Sequence, residues 1–502
     1  MKLLHQDSSQ NVSQSMRICA PWLLSICLIL GFSSTAISET ATTLEFKHCQ
    51  IQQQATKIDA ECATLIRPED LAKPEARQIE LSVARLAATT PNPASDAFTI
   101  IQGGPGGSSI DLAISLSQVI EMIRRDRDVL LVDQRGTGRS KQLSCDTPDN
   151  INELDPKVFA ELTTACASQL SNSSDLKHYT TSVAVQDLDA VRAAAGYSQL
   201  SIYGVSYGTR VAQHYLRRFP EQTRLLIIDG VVDVGLNLAG SEIALRSQAA
   251  FDNVVARCAA SSACTEEFGD IKSKFESVHR RLKEAPVTIQ TRHPQTGKAT
   301  EVSIGDNELL ISVRLMPYAT ETVSLLPLLI QQAYVGDYGL LAAYSQIASE
   351  SLQETLAIGM HNSVMCSEDE PFLDYENLTS AAHTYFGDEA ADLMKTTCAI
   401  WPQGLIDDDF QEPFASDKPI LVLSGETDPI TPPSNGERAA NMFSNSRHII
   451  VPAHGHGVVA RGCMPFLVQE FLQSGDLESL NTQCIERERA TPFFTSSSGP
   501  KP

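Results

Sequence analysis

The sequence predicts an α/β fold in which a mostly parallel central sheet carries helices on both faces and is interrupted by an inserted, mainly helical cap. Three observations lead there. From Ala97 onward, short β-branched runs alternate with helical stretches: "AFTIIQ" (Ala97 to Gln102), "DVLLVDQ" (Asp128 to Gln134), "LSIYG" (Leu200 to Gly204) and "RLLIIDG" (Arg224 to Gly230). Such continuous apolar runs are what a parallel sheet buried on both faces produces. Two more follow late, "KPILVLSG" (Lys418 to Gly425) and "SRHIIVP" (Ser446 to Pro452). Between the two groups, from about Asn237 to Asp417, helical periodicity dominates, with one hairpin expected to turn at Gln295 to Lys298.

The elements then fall into five segments. Residues 1–38 read as a secretory signal peptide, because the apolar run Ala20 to Phe32 follows Arg17 and precedes small residues at Ala36 and Ser38. That run is shorter than the roughly 20 residues a membrane span needs. Met16 is an alternative start. Residues 39–236 form the first part of the sheet domain, 237–417 the cap, 418–485 the second part, and 486–502 a polar, disordered tail.

At 502 residues the chain has room for such an insertion, and its 42% hydrophobic content is that of an ordinary globular protein. The formal net charge of −22 argues against nucleic-acid binding and against attraction to anionic membranes. Twelve cysteines include Cys19 and Cys27 in the leader, which leaves an even ten in the mature chain. In an exported protein these imply disulfides, so a periplasmic or secreted location is expected. Short loop lengths suggest neighbour pairing: Cys49 with Cys62, Cys145 with Cys166, Cys258 with Cys264, Cys366 with Cys398, and Cys463 with Cys484. No cysteine or histidine cluster has zinc-site spacing, so no structural metal is expected.

"SIYGVSYGTR" (Ser201 to Arg210) sets Ser206 between Gly204 and Gly208, in a strand, tight turn, helix context. That is the setting of a nucleophile elbow, although three small residues at this spacing also occur in ordinary turns. An acyl-transfer serine needs a base, a group to orient the base, and donors for the oxyanion. Asp428 in "GETDPITP" follows one late strand, and His454 and His456 in "VPAHGHGVV" follow the next. Taken alone, Asp428 could be a turn residue and either histidine structural. Together they complete the chain order Ser, Asp, His of the α/β-hydrolase arrangement. His456, flanked by two glycines, is the expected base, with His454 in reserve. Glycine-rich "IQGGPGGSS" after the first strong strand is expected to present a donor near Gly104, and the Tyr207 N–H a second. No phosphate-loop pattern accompanies those glycines, and no cofactor is called for.

Taken with "DQRGTGRS" (Asp133 to Ser140) and "CAIWP" (Cys398 to Pro402), these motifs resemble the proline iminopeptidase and tripeptidyl aminopeptidase group of α/β-hydrolases, in its exported branch. Gln102 departs from the histidine that the iminopeptidases carry before "GGPG", which weakens a strict proline preference. The resemblance implies a serine exopeptidase acting on short peptides with a free N-terminus. It also implies carboxylates in or beside the cap that hold the substrate ammonium. "CSEDEP" offers Glu368 and Asp369 for this, with Glu370 beside them, unless the stretch is a solvated acidic loop. A carboxylesterase or lipase using the same triad is the alternative.

Overall fold

The computed structural model describes residues 43–145, 156–238, 240–375 and 380–500. The signal-peptide expectation for residues 1–38 lies outside them. Nine strands form one sheet. In chain order they are β1 (Lys47–Gln53), β2 (Thr56–Pro68), β3 (Gln78–Leu86), β4 (Ala97–Ile101), β5 (Val129–Val132), β6 (Leu200–Val205), β7 (Thr223–Asp229), and, after the hairpin β8 (Val287–Arg292) and β9 (Ala299–Ile304), β10 (Ile420–Gly425) and β11 (Ser446–Val451). Their order across the sheet is β1-β2-β3-β5-β4-β6-β7-β10-β11. From β5 to β11 all neighbours are parallel, while β1, β2 and β3 add an antiparallel edge.

The six strands read from continuous apolar runs are all present. Side chains alternate between faces along a strand, and here both faces are covered. Ala97 and Ile101 join one hydrophobic cluster with Leu200, Ile202, Ile420 and Val422. Phe98 and Ile100 join the opposite one with Tyr203, Val205, Leu421 and Leu423. The antiparallel edge was not read from the sequence. In β3, buried Ile79 and Leu81 alternate with exposed Gln78 and Glu80 and half-buried Ser82, so the strand has no long continuous apolar run to give it away.

A third cluster gathers the helices Glu242–Ala259, Ile271–Glu284, Asp306–Leu315 and Leu326–Tyr334 around Phe251, Phe275 and Leu309, with the β8–β9 hairpin against it. This cluster falls where the helical cap was expected, but it does not occupy the whole of 237–417. Ala357, Met360, Val364, Cys366, Cys398 and Trp401 pack into the first sheet cluster instead. The second half of the insertion is therefore built onto the sheet domain. All five expected cysteine pairings are present as disulfides.

The expectation of a disordered tail at 486–502 is corrected for the described residues. Phe493 is buried in the cap cluster, with the Arg257 guanidinium 3.9 Å over its ring, and Phe494 N–H donates to Ser324. A polar composition concealed two aromatic anchors, which are enough to fix the segment.

Candidate active site

The sheet brings the candidate groups to one edge. Val205 is in register with Asp229, and Asp229 with Leu423, so the ends of β6, β7 and β10 lie side by side. Ser206 follows β6 directly, at φ 57° and ψ −128°, and opens the helix Tyr207–Arg218. A non-glycine residue at positive φ is strained and is held only when its surroundings fix it. Here the fixing is steric. A Cβ on Gly204 would meet Gly208 O at 2.4 Å, and one on Gly208 would meet Ile101 O at 2.1 Å. The two glycines let the helix start approach β6 and β4, and the Ser206 N–H donates to Asp229 O at 2.9 Å.

His456 donates its Nδ1–H to Asp428 Oδ2, 2.8 Å away. Asp428 is 6% exposed and is held by the N–H groups of Ile430 and Thr431, each at 2.9 Å from Oδ1. Thr431 Oγ1 donates to Asp428 Oδ2 at 2.9 Å and lies 3.0 Å from His456 Nδ1, so it braces both. Burial lowers the His456 imidazole, but the Asp428 carboxylate outweighs it and leaves the net shift upward. The ring packs over Gly230, where a Cβ would lie 2.9 Å from Cε1, and Gly457 abuts the Val205 side chain. His456 is thereby placed beside the segment that carries Ser206. His454 is turned elsewhere, its Nε2 lying 3.1 Å from Glu488.

The glycine loop closes on the serine. A Cβ on Gly103 would meet Ser206 Cβ at 2.6 Å and Oγ at 3.2 Å. Gly103 N–H is taken by Gln102 Oε1 at 2.8 Å, whereas the Gly104 and Tyr207 N–H groups donate to no protein acceptor among the described residues. Among the described residues the Gly106 N–H of the same loop is likewise unengaged. "DQRGTGRS" serves this loop from below. Buried Asp133 accepts from Ser108 Oγ at 2.8 Å and Ile110 N–H at 3.0 Å, just past the glycines, and from Arg139 N–H at 2.9 Å. Fully buried Arg135 makes a bidentate pair with Asp187 at 2.7 and 3.0 Å.

Three contributors escaped the sequence reading. Thr431 lay inside a quoted motif, and its brace was recognisable only once the His456 ring was placed. Asp229 is the second. Its Oδ2 accepts from Val458 N–H, Val459 N–H and Tyr203 OH at 2.8, 2.9 and 3.0 Å, so it anchors the chain just after His456. Burial pushes its carboxyl up to about 6, although those N–H groups favour the charged form. The third is Tyr318, whose carbonyl accepts the His456 N–H at 2.9 Å and whose ring stands edge-on to the imidazole at 5.1 Å.

The expected amine site at Glu368 and Asp369 is corrected. Both are completely buried and already matched. Asp369 accepts both Arg210 Nη1 and Nη2 at 2.8 Å, and Leu238 N–H at 2.6 Å. Glu368 accepts Thr181 N–H at 2.6 Å and Thr181 Oγ1 at 2.8 Å, with Arg210 at 3.6 Å. Burial raises Glu368 to about 7, with Arg210 and Thr181 pulling the other way. Both carboxylates are enclosed and turned toward Arg210, Thr181 and Leu238 rather than toward solvent. The cluster instead pins the helix that Ser206 opens, since Arg210 lies on its first turns.

Elsewhere, a cavity of about 280 Å³ under the cap is lined by Phe159, Leu310, Phe386 and Leu393, together with Arg314 and Glu389. Among the described residues no cluster of side chains could hold a metal ion, and no helix is long and apolar enough to cross a membrane.

The sheet order, the elbow after β6 and the groups after β10 and β11 define an α/β-hydrolase, and the chain is a serine hydrolase. Residues 96–289 match the family described as alpha/beta hydrolase fold, and residues 383–484 the family of TAP-like proteins. The serine protease Hip1 of Mycobacterium tuberculosis is 25% identical over 499 residues, covering 91% of this chain and 94% of that protein. The tripeptidyl aminopeptidase of Streptomyces coelicolor is 25% identical over 499 residues, covering 92% and 89%. Carboxylesterase B of Mycobacterium tuberculosis is 26% identical over 468 residues, covering 85% and 86%. Among solved structures, the proline iminopeptidase of Mycobacterium smegmatis is 15% identical, with a TM-score of 0.41, covering 83% of this chain and 99% of that one.

Proposed function

We propose that the protein is an exported serine aminopeptidase that cleaves single residues or short units from the free N-terminus of peptides, through an acyl-enzyme. The observation that carries the proposal is the His456–Asp428 pair set beside the segment of an elbow serine. His456 takes the Ser206 proton as Oγ attacks the scissile carbonyl, and the Gly104 and Tyr207 N–H groups receive the developing oxyanion. His456 then protonates the leaving amine. Water, deprotonated by the same imidazole, cleaves the acyl-enzyme. Asp428 stabilises the imidazolium at each stage, and Thr431 fixes the ring's orientation.

Because the base must be neutral to act and its pKa is raised, kcat/KM falls as pH falls through a value above the ordinary histidine pKa of about 6.5. A pH profile of kcat/KM checks this; an acidic limb centred well below that value would contradict it.

With Glu368 and Asp369 committed to Arg210 and Thr181, Glu389 on the cavity wall is the carboxylate open to a substrate ammonium. N-acetylation removes the substrate charge, and kcat/KM is expected to drop by up to about fivefold, as for loss of an exposed ion pair of about 0–1 kcal/mol. Glu389→Gln should remove most of that difference. Amides with free and acetylated N-termini, measured in both proteins beside p-nitrophenyl esters, decide the matter. Equal rates on free and acetylated amides exclude an aminopeptidase. Esters turned over while every amide fails would favour the esterase reading that the carboxylesterase B relative supports.

A further inference from the structure

The cap cavity holds one charge that neither the nucleophile nor the amine site uses. Arg314 lies on the helix Asp306–Leu315 and lines the cavity beside Leu310, Ile311 and Phe386. It is half-buried, and its Nε is enclosed without an acceptor. No carboxylate pairs with it among the described residues. The two other cap arginines with an unfilled enclosed donor have structural occupations: Arg257 is stacked on Phe493, and Arg281 donates to the Tyr334 and Ala333 carbonyls and lies over the Tyr338 ring. A guanidinium partly withdrawn from water with no carboxylate beside it is a ready partner for an anion. In a chain with 61 carboxylates against 39 lysines and arginines, the missing partner is not for want of acids.

Its position says what could supply one. Arg314 sits beside the Tyr318 hydroxyl, which burial pushes up and the guanidinium pulls back, and the Tyr318 ring contacts the His456 imidazole. On the other side its charge reaches His361, whose Nδ1 lies 3.3 Å from Pro105 O in the glycine loop. Arg314 is therefore separated from the base by one residue, Tyr318.

We propose that Arg314 forms a subsite for a carboxylate on the acyl side of the scissile bond, so that the preferred substrates are peptides with an aspartate or glutamate among the residues preceding the cut. The inference rests on the aminopeptidase reading and adds a side-chain preference to it. The guanidinium fork takes the substrate carboxylate in two parallel hydrogen bonds, which a lysine cannot reproduce. The apolar walls exclude water and strengthen the pair. Glu389 is exposed, so solvent screens its repulsion of the incoming acid.

The test is the ratio of kcat/KM for glutamate over glutamine, placed in turn at each of the three positions preceding the cleaved amide, in wild type, Arg314→Gln and Arg314→Lys. Wild type should favour glutamate by about ten- to hundredfold at one position. Arg314→Gln should bring that ratio to about one, and Arg314→Lys should leave it between the two. A wild-type ratio near one at all three positions overturns the proposal, as does a high ratio that survives in Arg314→Gln. Should no amide be cleaved, the aminopeptidase reading fails first. The subsite is then judged by the same ratio on p-nitrophenyl esters of succinate and butyrate, with the same outcomes.

Discussion

Ser206→Ala should abolish turnover of every substrate while leaving the fold intact. The expected loss in kcat is about a millionfold, with a residue of about 10³–10⁴-fold over water left by binding and the oxyanion donors. Stability should move by no more than about 0.5 kcal/mol, as for a change that leaves no buried group unpaired. The strain at this position is in the backbone, where φ is 57°, and alanine keeps the same Cβ. The packing that enforces it belongs to Gly103, Gly204 and Gly208, none of which changes. Steady-state kinetics with a thermal melt of the same preparation separates the two effects. A variant that is inactive and also unfolded would show that the hydroxyl carries structure, contrary to this account.

Arg210→Met should have the largest effect on stability. It leaves Glu368 and Asp369 buried together without the guanidinium that both approach, and breaking a buried pair by removing one partner costs about 3–5 kcal/mol. The sign of the pH dependence follows. Carboxyls buried without a cation are held above their unfolded pKa, so the folded variant binds more protons than its unfolded chain, and its stability falls as pH rises. Glu368 already behaves this way in the native protein, being raised to about 7 despite Arg210. Its stabilising contribution is present below the unfolded carboxyl value and is lost as pH rises toward 7. Urea denaturation from pH 5 to pH 8 should show the variant losing stability more steeply than the native protein. Parallel curves would mean that the carboxylates are solvated, and the corrected amine site would need to be revisited.

The particular residues explain what the sequence could disclose. Strands β4 to β7 and β10 were legible because both faces are buried, which writes an uninterrupted apolar run, whereas β11 was legible from Ile449 to Val451 although Ile450 faces solvent. Strands β1 to β3 lie at an edge where polar and apolar residues interleave, and that pattern is weak over short spans. The proposed Ser206, Asp428 and His456 could be singled out because each follows a strand, and the sheet order sets those strand ends side by side. Glu368 and Asp369 were misread because their partner is 159 residues from Asp369 in the chain. Nothing in "CSEDEP" distinguishes a carboxylate facing substrate from one facing Arg210. Arg314 carried no signal at all, since its meaning lies in what does not pair with it. The C-terminal segment was misjudged from composition, which counts polar residues and overlooks where two phenylalanines can dock.

The most direct test of the central claim is covalent labelling of the native protein with a fluorophosphonate, followed by mass spectrometry of the peptide ending at Arg210. A single stoichiometric adduct on Ser206 is predicted, lost in Ser206→Ala, strongly slowed in His456→Ala and little changed in His454→Ala. Labelling at another serine, or a rate that depends on His454 and not on His456, would contradict it.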